Sequence, residues 1–209
     1  MDIKTLSFEL SNIVLLFDDL HNAKISRDQL FSVFSDSSAQ PIDIGPLILI
    51  RYPEQNIEIT VIKDDGRAEI KKMHPSETDW ALLPEISSKV YAAFSGCNLI
   101  SYGFNYFAHI SFEDTLDADT FLVNQFKPSL ENIEKQTGSN ITNISTTLKY
   151  EGKNGINQIA FLAIKPNNSL RITLNIHFDS SELKDLASLQ ECYIEEKESF
   201  VKLLANLFE

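Results

Sequence analysis

The chain opens on alternation. Leu6, Phe8 and Leu10 fall on one side of an extended segment and Thr5, Ser7 and Glu9 on the other, so Thr5 to Phe17 predicts a strand. Ser26, with Gln29 three residues on, makes a capping box for a short helix carrying Leu30, Phe31, Val33 and Phe34. Leu47-Ile48-Leu49-Ile50 is a continuous apolar run, the pattern of a strand buried on both faces. Ile57, Ile59 and Val61 alternate with Glu58 and Thr60; Asp64-Asp65-Gly66 then marks a hairpin turn into a strand near Arg67 to Lys72. Pro84 and the stripe Ile86, Val90, Ala93 and Phe94 predict a helix that Gly96 ends.

The order of elements then begins again. Tyr102, Phe104, Tyr106, Ala108, Ile110 and Phe112 share one face of a long strand from Asn98 to Phe112. Asp117 caps a helix carrying Phe121, Leu122 and Phe126, which Pro128 kinks and Gly138 closes. Strands follow at 141–150, 157–164 and 170–178. A helix from Glu182 to Phe208, capped by Ser180 or Ser181, completes the pattern and spans about 40 Å. Both halves thus read β-α-β-β-β-α. The expected fold is α+β: an antiparallel sheet with helices on one face, built from a first repeat at 1–96 and a second at 97–209 with the long C-terminal helix, packed as one compact unit. The competing reading is a single α+β domain whose halves match by accident.

Charge narrows the class of partner. Lys and Arg number 18 against 30 Asp and Glu, a net charge of −12 over 209 residues. Such a chain repels phosphate backbones and acidic lipid surfaces, so neither nucleic acid nor membrane is an expected partner. The one basic grouping, Lys63, Arg67, Lys71 and Lys72, is small. No apolar run reaches membrane length, and Met1-Asp2-Ile3-Lys4 lacks the basic start of a signal peptide, so the expected location is cytoplasmic. Cys97 and Cys192 make no disulfide framework and no CxxC pair.

Candidate chemistry is sparse. The seven glycines form neither GxGxxG nor GxxxxGK[ST], and no GxSxG or HExxH occurs, so no cofactor is expected. Carboxylate groups at Asp64-Asp65, Glu113 to Asp119 and Glu195 to Glu198 match no EF-hand pattern and read as solvated turns and helix faces, so no metal is expected. His109 shares a strand face with Asn105, and His177 shares one with Asn175. If those strands are neighbours, the four residues form a polar patch fit for a ligand; the competing reading is the solvated side of an antiparallel sheet. Trp80 lies in a short segment before a helix. It is either an exposed anchor for a partner or the large residue that packs that segment onto the core.

Gly103-Phe104-Asn105-Tyr106-Phe107-Ala108-His109-Ile110 reads as Gly-x-x-Tyr-x-x-x-Ile. It resembles a strand motif of a sporadically distributed bacterial family of uncharacterised proteins, a resemblance that implies a compatible element order and no activity. The duplicated layout also resembles the saddle of TATA-binding proteins, whose nucleic-acid use the acidic balance opposes. With no catalytic constellation, the expected function is a non-enzymatic protein-protein interaction module. Its partner is a protein, a basic one given the acidic surface, and a second copy paired through the terminal helix is one version. The alternative is a small-molecule-binding protein or enzyme using Asn105, His109, Asn175 and His177.

Overall fold

A computed structural model describes residues 3–34, 39–112, 118, 120–122, 124, 134–136, 138, 145–152, 156–164 and 169–208. At its centre, β1 (Ile3–Phe17) pairs antiparallel with β8 (Leu99–Phe112). Outward from β1 run β6 (Arg67–Met73), β5 (Ile57–Ile62), β4 (Leu47–Tyr52) and β3 (Gln40–Asp43). Outward from β8 run β11 (Ser169–Phe178), β10 (Ile156–Ile164) and β9 (Ser145–Glu151). Every pairing in this nine-stranded sheet is antiparallel. Two short strands, β2 (Lys24–Ile25) and β7 (Phe94–Ser95), pair separately.

Alternation sorts the two faces. One transverse row of opposed residues reads Ile50, Ile59, Ile70, Ile13, Phe104 and Ile176, all buried beneath helices. The neighbouring row points the other way and crosses all nine strands: Gln40, Arg51, Glu58, Lys71, Asn12, Asn105, Asn175, Gln158 and Lys149. An antiparallel sheet with one face packed and the other polar is the form such period-two strands dictate.

Three helices are described in full: α1 (Arg27–Phe31), α2 (Leu82–Ala92) and α3 (Leu186–Phe208). Ser26 caps α1 by accepting from the Gln29 N–H, as its sequence pattern predicts. Tyr106 donates its hydroxyl to the Tyr193 carbonyl at 2.6 Å, fixing α3 to the sheet centre. The cap of α3 is Asp185, not Ser180 or Ser181: its carboxylate accepts from the Ser188 N–H at 3.1 Å and from the Ser188 hydroxyl at 2.8 Å. The helix therefore starts at Leu186, four residues later than the sequence predicts.

Other differences have local causes. β4 is not buried on both faces; Ile48, Ile50 and Tyr52 are buried while Leu47 and Leu49 lie half-buried on the polar side. α2 stops at Ala92 because Phe94 pairs in β7. β3 adds a strand that the break at 43–46 concealed. Gly66 adopts φ +60°, and a Cβ there would sit 2.3 Å from the Phe17 carbonyl oxygen, so the hairpin turn admits only glycine. The helix predicted from Asp117 falls mostly outside the described residues. Ala118, Thr120, Phe121, Leu122, Asn124 and 134–136 are helical; Asp117, Phe126 and Pro128 are not among those described.

Candidate functional site: a cleft beside the free edge of β1

β1 outruns one of its neighbours. β8 pairs with it from Ile3 to Phe17, whereas β6 pairs only with Leu10 to Leu16. Among the described residues, 3–8 therefore have a strand on one side alone. The chain leaves β6 at Met73, and the His74 N–H donates once more to the Glu9 carbonyl at 2.9 Å before turning away. His74 holds φ +46° directly before Pro75. A left-handed non-glycine residue stores roughly 1–3 kcal/mol and persists only where its surroundings impose it.

Asp79 holds that turn. It accepts from the Ser76 N–H and hydroxyl, each at 2.7 Å, and lies 3.4 Å from the Lys72 ammonium. Burial pushes the Asp79 carboxyl up, but the Ser76 hydrogen bonds and Lys72 together hold it below the ordinary value of 3.8.

Between the turn, the free edge and α3 lies a cleft of about 740 Å³. Leu6, Phe8 and Val201 give it apolar surface, His74, Glu77 and Lys197 give it charge, and it reaches Glu9 and His109. Phe8 packs edge-on against Trp80 with ring centroids 4.8 Å apart, and Trp80 packs on Tyr106 and Tyr193. The Lys197 ammonium sits 5.2 Å from the centre of the Trp80 ring, a cation-π contact, and 3.3 Å from Glu77 Oε2. The Lys197 side chain is 13% exposed and that of Glu77 is 86% exposed.

A β-bulge brings a carboxylate to His109. Phe8 opposes Ala108 and Leu10 opposes Phe107, so Glu9 is the extra residue. The bulge reverses the alternation: Leu6 and Phe8 face the helices, and Leu10 faces the polar side, not the shared side that the sequence predicts. Glu9 meets Arg171 Nη2 at 3.0 Å through each oxygen, and its Oε2 lies 3.4 Å from His109 Nε2. Ser7 stands opposite His109 in register, and His109 Nε2 and Glu9 Oε2 are buried without a hydrogen-bond partner. Among the described residues no three His, Cys, Asp or Glu side chains are grouped to hold a metal.

The predicted polar residues are partly brought together. Asn105 and Asn175 are directly opposed, and the Asn175 amide donates to Asn105 Oδ1. Asn105 Nδ2 in turn donates to Asn12 Oδ1 at 2.6 Å, and Asn12 Nδ2 to Glu69 at 2.7 Å. These amides satisfy one another. His109 lies further along β8 with Glu9 and Arg171, while His177 is exposed opposite Gly103 and joins neither group. Trp80 is 4% exposed, so it supports the cleft from below and presents no anchor at the surface. Sequence reasoning missed Glu9, Arg171, His74 and Lys197. Glu9 looks like an ordinary outward strand residue until the bulge is known, and Lys197 like one more solvated helix charge.

No protein-family model matches the chain, and no curated protein matches it. Among solved structures, the Methanococcus jannaschii TBP aligns over 97% of this chain and 97% of its own, with 12% identity and a TM-score of 0.34. At that level the likeness carries no argument about function. No helix among the described residues is long and apolar enough to cross a membrane.

Proposed function

We propose that this chain is a non-enzymatic protein-interaction module that takes an extended segment of a partner protein onto the free edge of β1. The observation that carries the reading is the stretch 3–8, which among the described residues has a strand on one side alone and lies over a cleft with apolar surface. An unpaired strand presents a row of main-chain donors and acceptors, and an extended peptide satisfies them by adding a strand. The added strand would lie in line with β6, with alternate side chains reaching Leu6, Phe8 and Val201. The ion pair of Glu9 with Arg171, which ties the bulge to β11, supports a structural role for this carboxylate.

Peptides selected from a random-sequence display library against the folded protein test this reading. Selected peptides should lose about fivefold in affinity when a single main-chain N–H facing β1 is methylated, because each such bond is worth about 1 kcal/mol. Peptides that tolerate methylation at every position, or a library that yields none, would contradict it.

We also infer that 1–96 and 97–209 are copies of one β-α-β-β-β-α unit, in which β4, β5 and β6 correspond to β9, β10 and β11 and β3 is an addition of the first half. Asn12 and Asn105 are opposed at the centre, Ile13 opposes Ile70 as Tyr106 opposes Leu174, and Ile70 opposes Ile59 as Leu174 opposes Ile159. An experimental structure whose halves fail to superpose through this correspondence would refute the duplication.

A further inference from the structure

Resting on the free-edge reading above, we infer that the docked segment carries a carboxylate that Lys197 recognises. Lys197 and Val201 are one turn apart on α3, and both line the cleft beneath the unpaired edge. A strand added beside Leu6 and Phe8 directs alternate side chains toward that helix face. Its apolar positions meet Val201 and Phe8, and a neighbouring helix-facing position meets the Lys197 ammonium.

The charges around the cleft single out Lys197. Glu9 and Arg171 neutralise each other as an ion pair beside His109, although Glu9 Oε2, His109 Nε2 and Arg171 Nε are buried without a hydrogen-bond partner, so Lys197 is the cleft cation whose counter-ion is exposed. Lys197 is held in place by Trp80, yet its counter-ion Glu77 is almost wholly exposed on the turn. Only the acid of this pair is exposed, and holding so exposed a carboxylate in place gains little, so an incoming carboxylate replaces Glu77 at small cost. The same exchange inside the cleft, away from bulk water, is stronger than at the surface. A basic residue at that position would set two ammonium groups together. The net charge of −12 does not decide the matter, because charges beyond about 10 Å are largely screened at physiological salt.

The test uses peptides selected from the random library and their matched amide forms, Asp→Asn or Glu→Gln at the helix-facing position. Against the wild-type chain the amide form should bind about tenfold more weakly. Against Lys197→Met, which keeps an apolar stem on Trp80, acid and amide should bind within about twofold of each other. Glu77→Gln should tighten the acidic peptides by removing their competitor, and this variant leaves the buried packing untouched. If acid and amide bind the wild type alike while N-methylation still weakens binding, the carboxylate inference falls and the free-edge reading stands. If Glu77→Gln leaves acidic peptides unchanged or weaker, the exchange is refuted. If the library yields no binder, both readings fall.

Discussion

Asn12 and Asn105 stand face to face at the centre of the nine-stranded sheet, Asn105 Nδ2 donating to Asn12 Oδ1 at 2.6 Å. Asn12 is 4% exposed, and its own amide donates to Glu69. Removing a buried partner leaves the others unsatisfied. Asn12→Ala is therefore expected to destabilise the fold by about 1–3 kcal/mol in denaturant unfolding. Asn12→Ala and Asn105→Ala combined should cost less than the sum of the two, since both break the same bond.

Trp80 is the single tryptophan and supports the cleft through Phe8 and Lys197. Trp80→Ala should cost about 3–5 kcal/mol by leaving a cavity beneath the edge, and Trp80→Phe much less. Because the ring is buried, its emission in the native chain should be blue-shifted and should move red on unfolding. An emission maximum already red in the native state would contradict the packing.

The sheet centre also sets an alkaline limit. Burial pushes the Tyr102 hydroxyl from its ordinary 10 up to about 12, and pushes those of Tyr106 and Tyr193 upward as well. The folded chain thus holds these protons more tightly than the unfolded chain. Stability is complete below pH 10 and falls as pH rises from 10 toward 12 and beyond. Tyr102→Phe should flatten that decline in thermal melts measured across the same range.

At the acid end the sign reverses. Asp79 is held below 3.8, so its contribution to the cleft-wall turn is complete above 3.8 and fades as pH drops through its own lower value. Asp79→Asn should remove this acid sensitivity from amide protection at Ser76, with little change near neutral pH.

Much of the fold was legible because period-two alternation survives translation into a sheet. The strand from Leu99 to Phe112 shows its buried face in Tyr102, Phe104, Tyr106, Ala108 and Ile110 with no knowledge of its neighbours. The candidate site was far less legible. A bulge is a relation between two strands, so nothing in Phe8-Glu9-Leu10 announces that Glu9 will turn toward Arg171, 162 positions away. The cleft exists because β6 is shorter than β1, a difference of pairing length and not of residue type. Lys197 owes its position to Trp80, and no local pattern links a helix lysine to a tryptophan more than a hundred residues earlier.

The central claim is that residues 3–8 of β1 receive a partner's strand. Its most direct measurement is amide hydrogen exchange of the whole chain, free and saturated with a peptide selected from the random library. In the free chain the alternate amides of Thr5 to Phe8 that point away from β8 should exchange fast, and in the complex they should be strongly protected, with β3 and β9 unchanged. Protection that appears along β3 or β9 while Thr5 to Phe8 continues to exchange freely would contradict it.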